Sequence, residues 1–344
     1  MITDEHILLA HGGGGQLTAE LIEEVILPAL GPAGAQDASR LNDSATVVLP
    51  GPPGQVVFTT DSYIVQPLEF PGGDIGKLAV CGTVNDLAVS GAAARAISLA
   101  LVLAEGLEVA LLRRVLASAG AAARGAGVAV VTGDTKVMPR AALDGMVINT
   151  AGVGEPLAGA ELGFERLAAG DAVVLSGPLG EHGLAVMCAR EALSLSADLA
   201  SDCAALNGLT ARLIAELGPA VRFMRDPTRG GLAAILAEIA AATGRNIEII
   251  EADIPVHPTV LAAAEMLGLD VLSAANEGKL VAVVAPEAGE RAAAILAADP
   301  IARRAAVIGR IGEPASPPLV ELLTRSGGRR VVQMPYGEEL PRIC

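Results

Sequence analysis

Apolar residues recur at helical spacing at Leu17, Leu21 and Val25, with Ile22 and Ile26 beside them, and predict a helix over Leu17–Leu27. It follows His11-Gly12-Gly13-Gly14-Gly15, a loop too rich in glycine for regular structure. Short β-branched runs at Ala45–Leu49 and Val56–Thr60 predict strands. A helix from about Asp74 to Ser90 comes next, with Asp74 placed to cap it. Strand Ile97–Leu103, helix Leu107–Arg124, strand Val128–Thr132 and strand Met146–Gly152 continue the alternation, which is that of an α/β fold. Around Gly154–Gly170 the period lapses, separating a first domain, 1–155, from a second, 165–333. The second opens with strand Ala172–Ser176, a Gly-Pro-Leu-Gly turn and a helix from about His182. Helices Ala211–Leu217, Leu232–Thr243 and Thr259–Leu267 then alternate with strands Ile247–Ile250, Leu280–Val284 and Val307–Ile311. From Met334 to Cys344 there is no apolar period, and Pro335, Gly337 and Pro341 mark a mobile tail.

The 344 residues fit two domains, and a hydrophobic content of 52% with 18% charged residues excludes a disordered chain. Aromatics are 2% and Trp is absent, so the core must be built from Ala, Val, Leu and Ile. Twenty-four basic residues against 39 acidic ones give a net charge of −15, which argues against a nucleic-acid surface. Phosphate would then be met as a small ligand, held by backbone amides or bridged by a metal. Only Lys77, Lys136 and Lys279 are lysines, so each is a candidate for chemistry that arginine cannot do. Cys81, Cys188, Cys203 and Cys344 form no C-x-x-C pair, which fits a reducing compartment. The acidic N-terminus does not suit a signal peptide, and the weakly charged stretch Leu78–Ala94 is interrupted by Asn85 and Asp86. A cytoplasmic chain without a membrane span is expected.

Familiar nucleotide motifs fail. Gly72-Gly73-Asp74-Ile75-Gly76-Lys77-Leu78 is one residue short of a P-loop and has Leu78 where Ser or Thr would hold Mg²⁺. No G-x-G-x-x-G stands between a strand and a helix. The Gly12–Gly15 loop serves equally as a phosphate cradle or a flexible arm. Asp86 says more, as the only charge between Lys77 and Arg95, set late in an apolar helix whose macrodipole it opposes. That placement favours a carboxylate aimed into a site over a surface cap. Asp43, Asp61, Asp134 and Asp226 likewise stand at the ends of apolar segments; singly each reads as a turn residue, together they suit Mg²⁺ and nucleotide phosphates. Glu277, between Asn276 and Gly278, has the placement of a solvated loop acid. Cys344 has little use as a packing residue but makes sense as a nucleophile on an arm, with Arg342 nearby to favour the thiolate.

At these residues the chain resembles the hydrogenase-maturation HypE family, the carbamoyl dehydratases. The resemblance rests on Thr60-Asp61-Ser62, Phe70 to Val80, Gly82-Thr83-Val84-Asn85-Asp86-Leu87-Ala88, and Thr132-Gly133-Asp134-Thr135-Lys136-Val137. It continues through Leu179-Gly180-Glu181-His182-Gly183, Arg225-Asp226-Pro227-Thr228-Arg229-Gly230-Gly231 and Asn276-Glu277-Gly278-Lys279, and ends on Pro341-Arg342-Ile343-Cys344. The aspartate motifs alone are those of the wider superfamily of aminoimidazole ribonucleotide synthetase, selenophosphate synthetase and thiamine-phosphate kinase; the terminal tetrapeptide singles out the dehydratase. Asn42-Asp43-Ser44 departs from the two adjacent aspartates frequent in that superfamily.

The resemblance implies a two-domain PurM-like fold, α/β to α+β. Its N-terminal domain binds ATP and pairs into a homodimer, and a flexible tail, 334–344, carries Cys344. It implies ATP on Gly73, Asp74, Lys77, Asn85, Asp134 and Asp226, and Mg²⁺ on Asp43, Asp61, Asp86 and Asp226. It also implies Glu277 as base, Lys136 as the cation steadying the oxygen, and conversion of a carbamoyl group on Cys344 to a thiocyanate. The partners it implies are the carbamoyltransferase HypF and the HypC–HypD iron-assembly complex. Another ATP-dependent kinase or synthetase of the superfamily, or a scaffold without turnover, are the competing readings.

Overall fold

The computed structural model describes residues 6–8, 20–31, 56–193, 199–333 and 343. The predicted helix at Leu17 and strand at Ala45 therefore fall partly and wholly outside them; a wide helical turn, Ile22–Ile26, leads into α1, Leu27–Leu30. The first unit then runs β1 (Val57–Tyr63), β2 (Glu69–Phe70), β3 (Gly73–Asp74), α2 (Ile75–Val89), β4 (Ala92–Ala104), α3 (Val109–Ala126), β5 (Ala129–Met138) and β6 (Met146–Pro156). Its four-stranded sheet has the order β1-β6-β4-β5, with only β4 and β5 parallel. Helices α2 and α3 pack against one face. Strand β1 shows the cause in its alternation: Thr59 and Tyr63 bond to α2, whereas Phe58, Thr60 and Ser62 point the other way and are exposed.

The second unit contains β7 (Ala172–Leu175), α4 (Glu181–Arg190), α5 (Asn207–Leu217), β8 (Val221–Arg225), α6 (Gly231–Thr243), β9 (Arg245–Ile250), α7 (Pro258–Leu267), β10 (Val281–Val284), α8 (Gly289–Ala297), β11 (Ala306–Pro314), β12 (Val320–Leu323) and β13 (Arg329–Val332). Its seven strands follow the order β13-β12-β9-β11-β7-β10-β8. Continuous apolar runs in β7 and β10 are buried on both faces. Val173, Leu175, Val281 and Val283 meet Leu232, Leu236 and Ile239 of α6. Ala172, Val174, Ala282 and Val284 meet Leu209 and Leu213 of α5 and Leu296 of α8.

Alternating helices and strands are thus present, but the pairing is mostly antiparallel, as an α+β arrangement requires. Strands β8, β12 and β13 and helix α8 were not predicted, being short or, in α8, masked by alanines. The two units share a core, since Leu184 and Val186 of α4 and Val260 of α7 pack in one cluster with Leu78, Ile75 and Leu101. No helix among the described residues is long and apolar enough to cross a membrane.

Candidate active site

Helix α2 explains why an apolar helix carries Asn85 and Asp86. It is sandwiched between the first sheet and the second unit, so 13 of its 15 residues are buried and it has no solvent face on which to sort polar groups. Asp74 caps it as predicted, accepting from the backbone N–H of Gly76 at 2.8 Å and of Lys77 at 3.1 Å. Burial nonetheless raises the Asp74 carboxyl above its ordinary value. Gly73 pairs with Phe70 across the β2–β3 ladder, and Lys77 Nζ donates to the Gly72 carbonyl at 2.9 Å. These three residues therefore build one loop at the helix N-terminus.

Asn85 has a different task from the nucleotide contact expected of it. Its Nδ2 donates to the carbonyls of Ala204 at 3.0 Å and Glu277 at 3.1 Å, and its Oδ1 accepts from the Leu206 N–H at 2.8 Å. Both amide hydrogens are committed, so the side chain is a fully buried clamp between the two units.

Beside it, carboxylates converge. Thr59 Oγ1 donates to Asp86 Oδ2 at 2.9 Å. Burial raises the Asp86 carboxyl and the charge of Asp61 adds to the rise, while Arg225 opposes it. Asp226 follows β8, is buried, and is pushed up to about 7 by burial first and by Asp86 and Asp61 after it. Glu277 is 2% exposed, so it is not the solvated loop acid its neighbours suggest. Burial, then Asp226, Asp202 and Asp61, push it well above the ordinary carboxylate range. Asp226 Oδ2 and Glu277 Oε1 are buried without a hydrogen-bond partner. Two orphaned buried acceptors among like charges are costly, and a divalent cation is the group whose donor preference fits them. Among the described residues no three such side chains already close into a metal cage.

The structure does not bring Lys136 or Asp134 into this cluster. They pair with each other at 2.9 Å on β5 with both side chains at least 60% exposed, and the ammonium lowers the Asp134 carboxyl. Asp43, Cys344 and the Gly12–Gly15 loop lie outside the described residues.

Sequence reasoning missed the groups that hold Glu277. Lys279 is 4% exposed and pairs with both Glu181 and Asp202 at 3.1 Å. Asp202 Oδ1 also accepts the Glu277 N–H at 3.1 Å. At Gly278 an added Cβ would strike the Asp202 carbonyl, so glycine is required for this approach. Lys279 was visible as one of three lysines; nothing in Ser201-Asp202-Cys203 distinguishes Asp202. The described end of the tail is anchored: Ile343 is buried, its backbone bridges Val65, and its carbonyl lies 2.6 Å from His182 Nε2.

Family comparison agrees with this arrangement of two units. Residues 42–155 match the N-terminal domain and 168–317 the C-terminal domain of AIR synthase related proteins. The carbamoyl dehydratase HypE of Rhodobacter capsulatus is 50% identical over 100% of this chain and 99% of its own length. A crystal structure of the hydrogenase maturation protein HypE in complex with ATP superposes with a TM-score of 0.91 at 43% identity, covering 98% of this chain and 99% of that one. The HypE–HypF complex contains a chain matching at a TM-score of 0.79 and 39% identity, over 93% of this chain and 100% of that one. The chain belongs to the HypE family of carbamoyl dehydratases, within the AIR synthase related proteins.

Proposed function

We propose that this chain dehydrates a carbamoyl group carried on the sulfur of Cys344, using ATP, and so makes the thiocyanate that supplies a cyanide ligand for [NiFe]-hydrogenase iron. The buried cluster of Asp61, Asp86, Asp226 and Glu277, with its two orphaned oxygens, carries this reading. The reaction balances as R–S–C(=O)NH₂ + ATP → R–S–C≡N + ADP + phosphate + H⁺. An amide oxygen leaves poorly, so ATP first phosphorylates it; loss of phosphate then breaks the C–O bond, and both N–H protons depart as the nitrile forms.

Gly73, Asp74 and Lys77 at the start of α2, with Asp134 and Asp226, are assigned to ATP. Asp61, Asp86 and Asp226, joined by Asp43, would hold Mg²⁺. When bound, Mg²⁺ offsets the charge gathered on the transferring phosphoryl group. Glu277 takes the amide proton: a carboxylate whose affinity for protons is raised by burial is a stronger base once ionised. Asp202 fixes its backbone. Lys136 is assigned as the cation at the leaving oxygen; it stands exposed on β5, paired with Asp134 and outside the acid cluster, so it must leave that pair to meet the oxygen.

The bare face of the first sheet supports the homodimer. Phe58 is 63% exposed there, and the neighbouring strand β6 offers half-buried Val147, Ala151 and Val153. We assign 1–155 to ATP binding and dimerisation, 165–333 to the second domain and 334–344 to the carrier tail. HypF is the donor-side partner and the HypC–HypD complex the acceptor, both in the cytoplasm. The test is mass spectrometry of the tail peptide after incubation with HypF, carbamoyl phosphate and ATP. A 25-Da increase on Cys344 is expected; a carbamoyl adduct that persists while ATP is consumed would sink the proposal.

A further inference from the structure

Of the three lysines, Lys279 is the buried one, and the dehydration just described gives it no part. Its Nζ lies 3.1 Å from Glu181 Oε2 and 3.1 Å from Asp202 Oδ2. The Asp202 side chain is itself 1% exposed, and its other oxygen, Oδ1, accepts the Glu277 N–H at 3.1 Å. One ammonium therefore ties two anions on different elements: Glu181 opens α4, and Asp202 lies in the segment before α5. The stem that carries it passes Gly177, where an added Cβ would come within 2.9 Å of Lys279 Cε, so bare backbone makes the path. On the other side of Glu277, Asn276 fixes the same loop without charge. Its Oδ1 accepts the Gly180 N–H at 2.7 Å, and its Nδ2 donates to the Pro227 carbonyl at 3.2 Å. The hold by Asp202 is different, because its negative charge bears on the Glu277 carboxyl. A buried carboxylate beside a second one turns away or takes up a proton unless a cation holds it.

We propose that Lys279 is a positioning residue for the elimination step: it holds the Asp202 carboxylate between Glu181 and the Glu277 N–H, and so fixes the base where it meets the amide proton. The inference rests on the proposed role of Glu277. It divides the reaction in two. Phosphorylation by ATP depends on the aspartates and their cation, whereas proton removal depends on the line from Lys279 through Asp202 to Glu277. With the base misplaced, the phosphorylated amide waits. Water then attacks phosphorus, the P–O bond breaks, and the amide and phosphate are returned. ATP is consumed in that cycle, yet the carbamoyl C–O bond stays whole and no nitrile forms.

The test uses the full-length protein, carbamoylated on Cys344 beforehand. Lys279→Met keeps the stem and loses the charge; Glu181→Gln leaves Lys279 in place but weakens its second anchor. Initial rates at saturating ATP are read twice, as ADP and as nitrile on the tail peptide. Hydrogen exchange, followed by mass spectrometry, reads the Glu277 amide. Wild type should give one ADP per nitrile. Lys279→Met should lose nitrile formation by about tenfold, the worth of one buried hydrogen bond, while ADP formation falls less than twofold. Exchange at the Glu277 amide should quicken by a similar factor of about ten. Equal losses of ADP and nitrile would mark a merely structural residue and overturn the proposal, as would wild-type exchange at Glu277. Should Lys279→Met not fold, Glu181→Gln decides: a roughly threefold excess of ADP over nitrile supports the proposal, and a one-to-one ratio overturns it. If wild-type protein makes no nitrile, the proposed function fails by itself, while exchange at the Glu277 amide still judges the hold by Lys279.

Discussion

Replacing Asp226 by Asn should make the nucleotide-free protein more stable while abolishing its activity. The Asp226 carboxyl is raised from its ordinary 3.8 to about 7 by burial and by the charges of Asp86 and Asp61, and its Oδ2 has no partner. At 1.36 kcal/mol per pH unit, holding it ionised at pH 8 costs the folded state about 4 kcal/mol, an upper figure. The sign follows from proton counts. Between 3.8 and about 7 the folded protein binds the proton and the unfolded chain does not, so this group's contribution falls as pH rises through that window and is flat above it. Asn is uncharged and escapes the cost. Thermal unfolding in a chelator at pH 8 should show Asp226→Asn melting roughly 10 °C above wild type, at 2–4 °C per kcal/mol for a domain of this size. At pH 5.5 the gap should fall to about half, roughly 2 kcal/mol, and it should close only as the pH approaches 3.8, where the unfolded carboxyl is protonated as well. Adding Mg²⁺ and ATP should raise the wild-type transition and leave the variant's almost unmoved. A variant that melts below wild type at pH 8, or a difference independent of pH, would refute the reasoning.

Glu277→Gln should bind ATP and accept a carbamoyl group on Cys344 but lose nitrile formation by at least 10²-fold, read from the mass of the tail peptide. Cys344→Ser should abolish thiocyanate and leave the melting temperature within about 1 °C; loss of 341–344 should abolish it too but lower the melting temperature by several degrees, because it removes buried Ile343 and its bond to His182; Cys81→Ser, in the core, should still form it on Cys344. Asn85→Ala should cost about 3 kcal/mol in denaturant unfolding, because it strands the Ala204 and Glu277 carbonyls and the Leu206 N–H.

Much of this organisation is legible from local patterns. Helix α2, with its capping Asp74, and helices α3, α6 and α7 follow from apolar period and caps, each within a few residues of the observed ends. Asp86 is legible because a lone charge in an apolar helix breaks a local rule without local compensation. Asp226 and Asp61 gained meaning only as members of a set, since each alone resembles a turn residue. Other parts were not legible for a common reason: they depend on pairing across the chain. Asn85 is spent on carbonyls 119 and 192 residues away. Asp202 acts on Glu277 and Lys279 across some 75 residues, and no local spacing encodes that. Burial of Glu277 also arises from packing between the two units, so its own neighbours, Asn276 and Gly278, suggested the opposite.

The segment from Ser201 to Leu206 shows how the chain can keep mutually repelling carboxylates in one place. Left on flexible loops, Asp86, Asp226 and Glu277 would move apart and take up water, relieving both burial and repulsion. Here the Ser201 N–H is tied to the Pro71 carbonyl at 2.7 Å, Asp202 holds the Glu277 N–H and Lys279, and Asn85 grips Ala204 and Leu206. Every one of these bonds crosses between elements distant in sequence, and several join the two units. Separation of the acids would therefore break several buried hydrogen bonds together, each worth about 1 kcal/mol net and more when a group is left unpaired. That sum is comparable with the few kcal/mol that burial, and after it repulsion, cost at Asp226. The frame thus resists the relaxation that would otherwise disperse the charge, and the cluster stays poised for the cation and phosphates that compensate it.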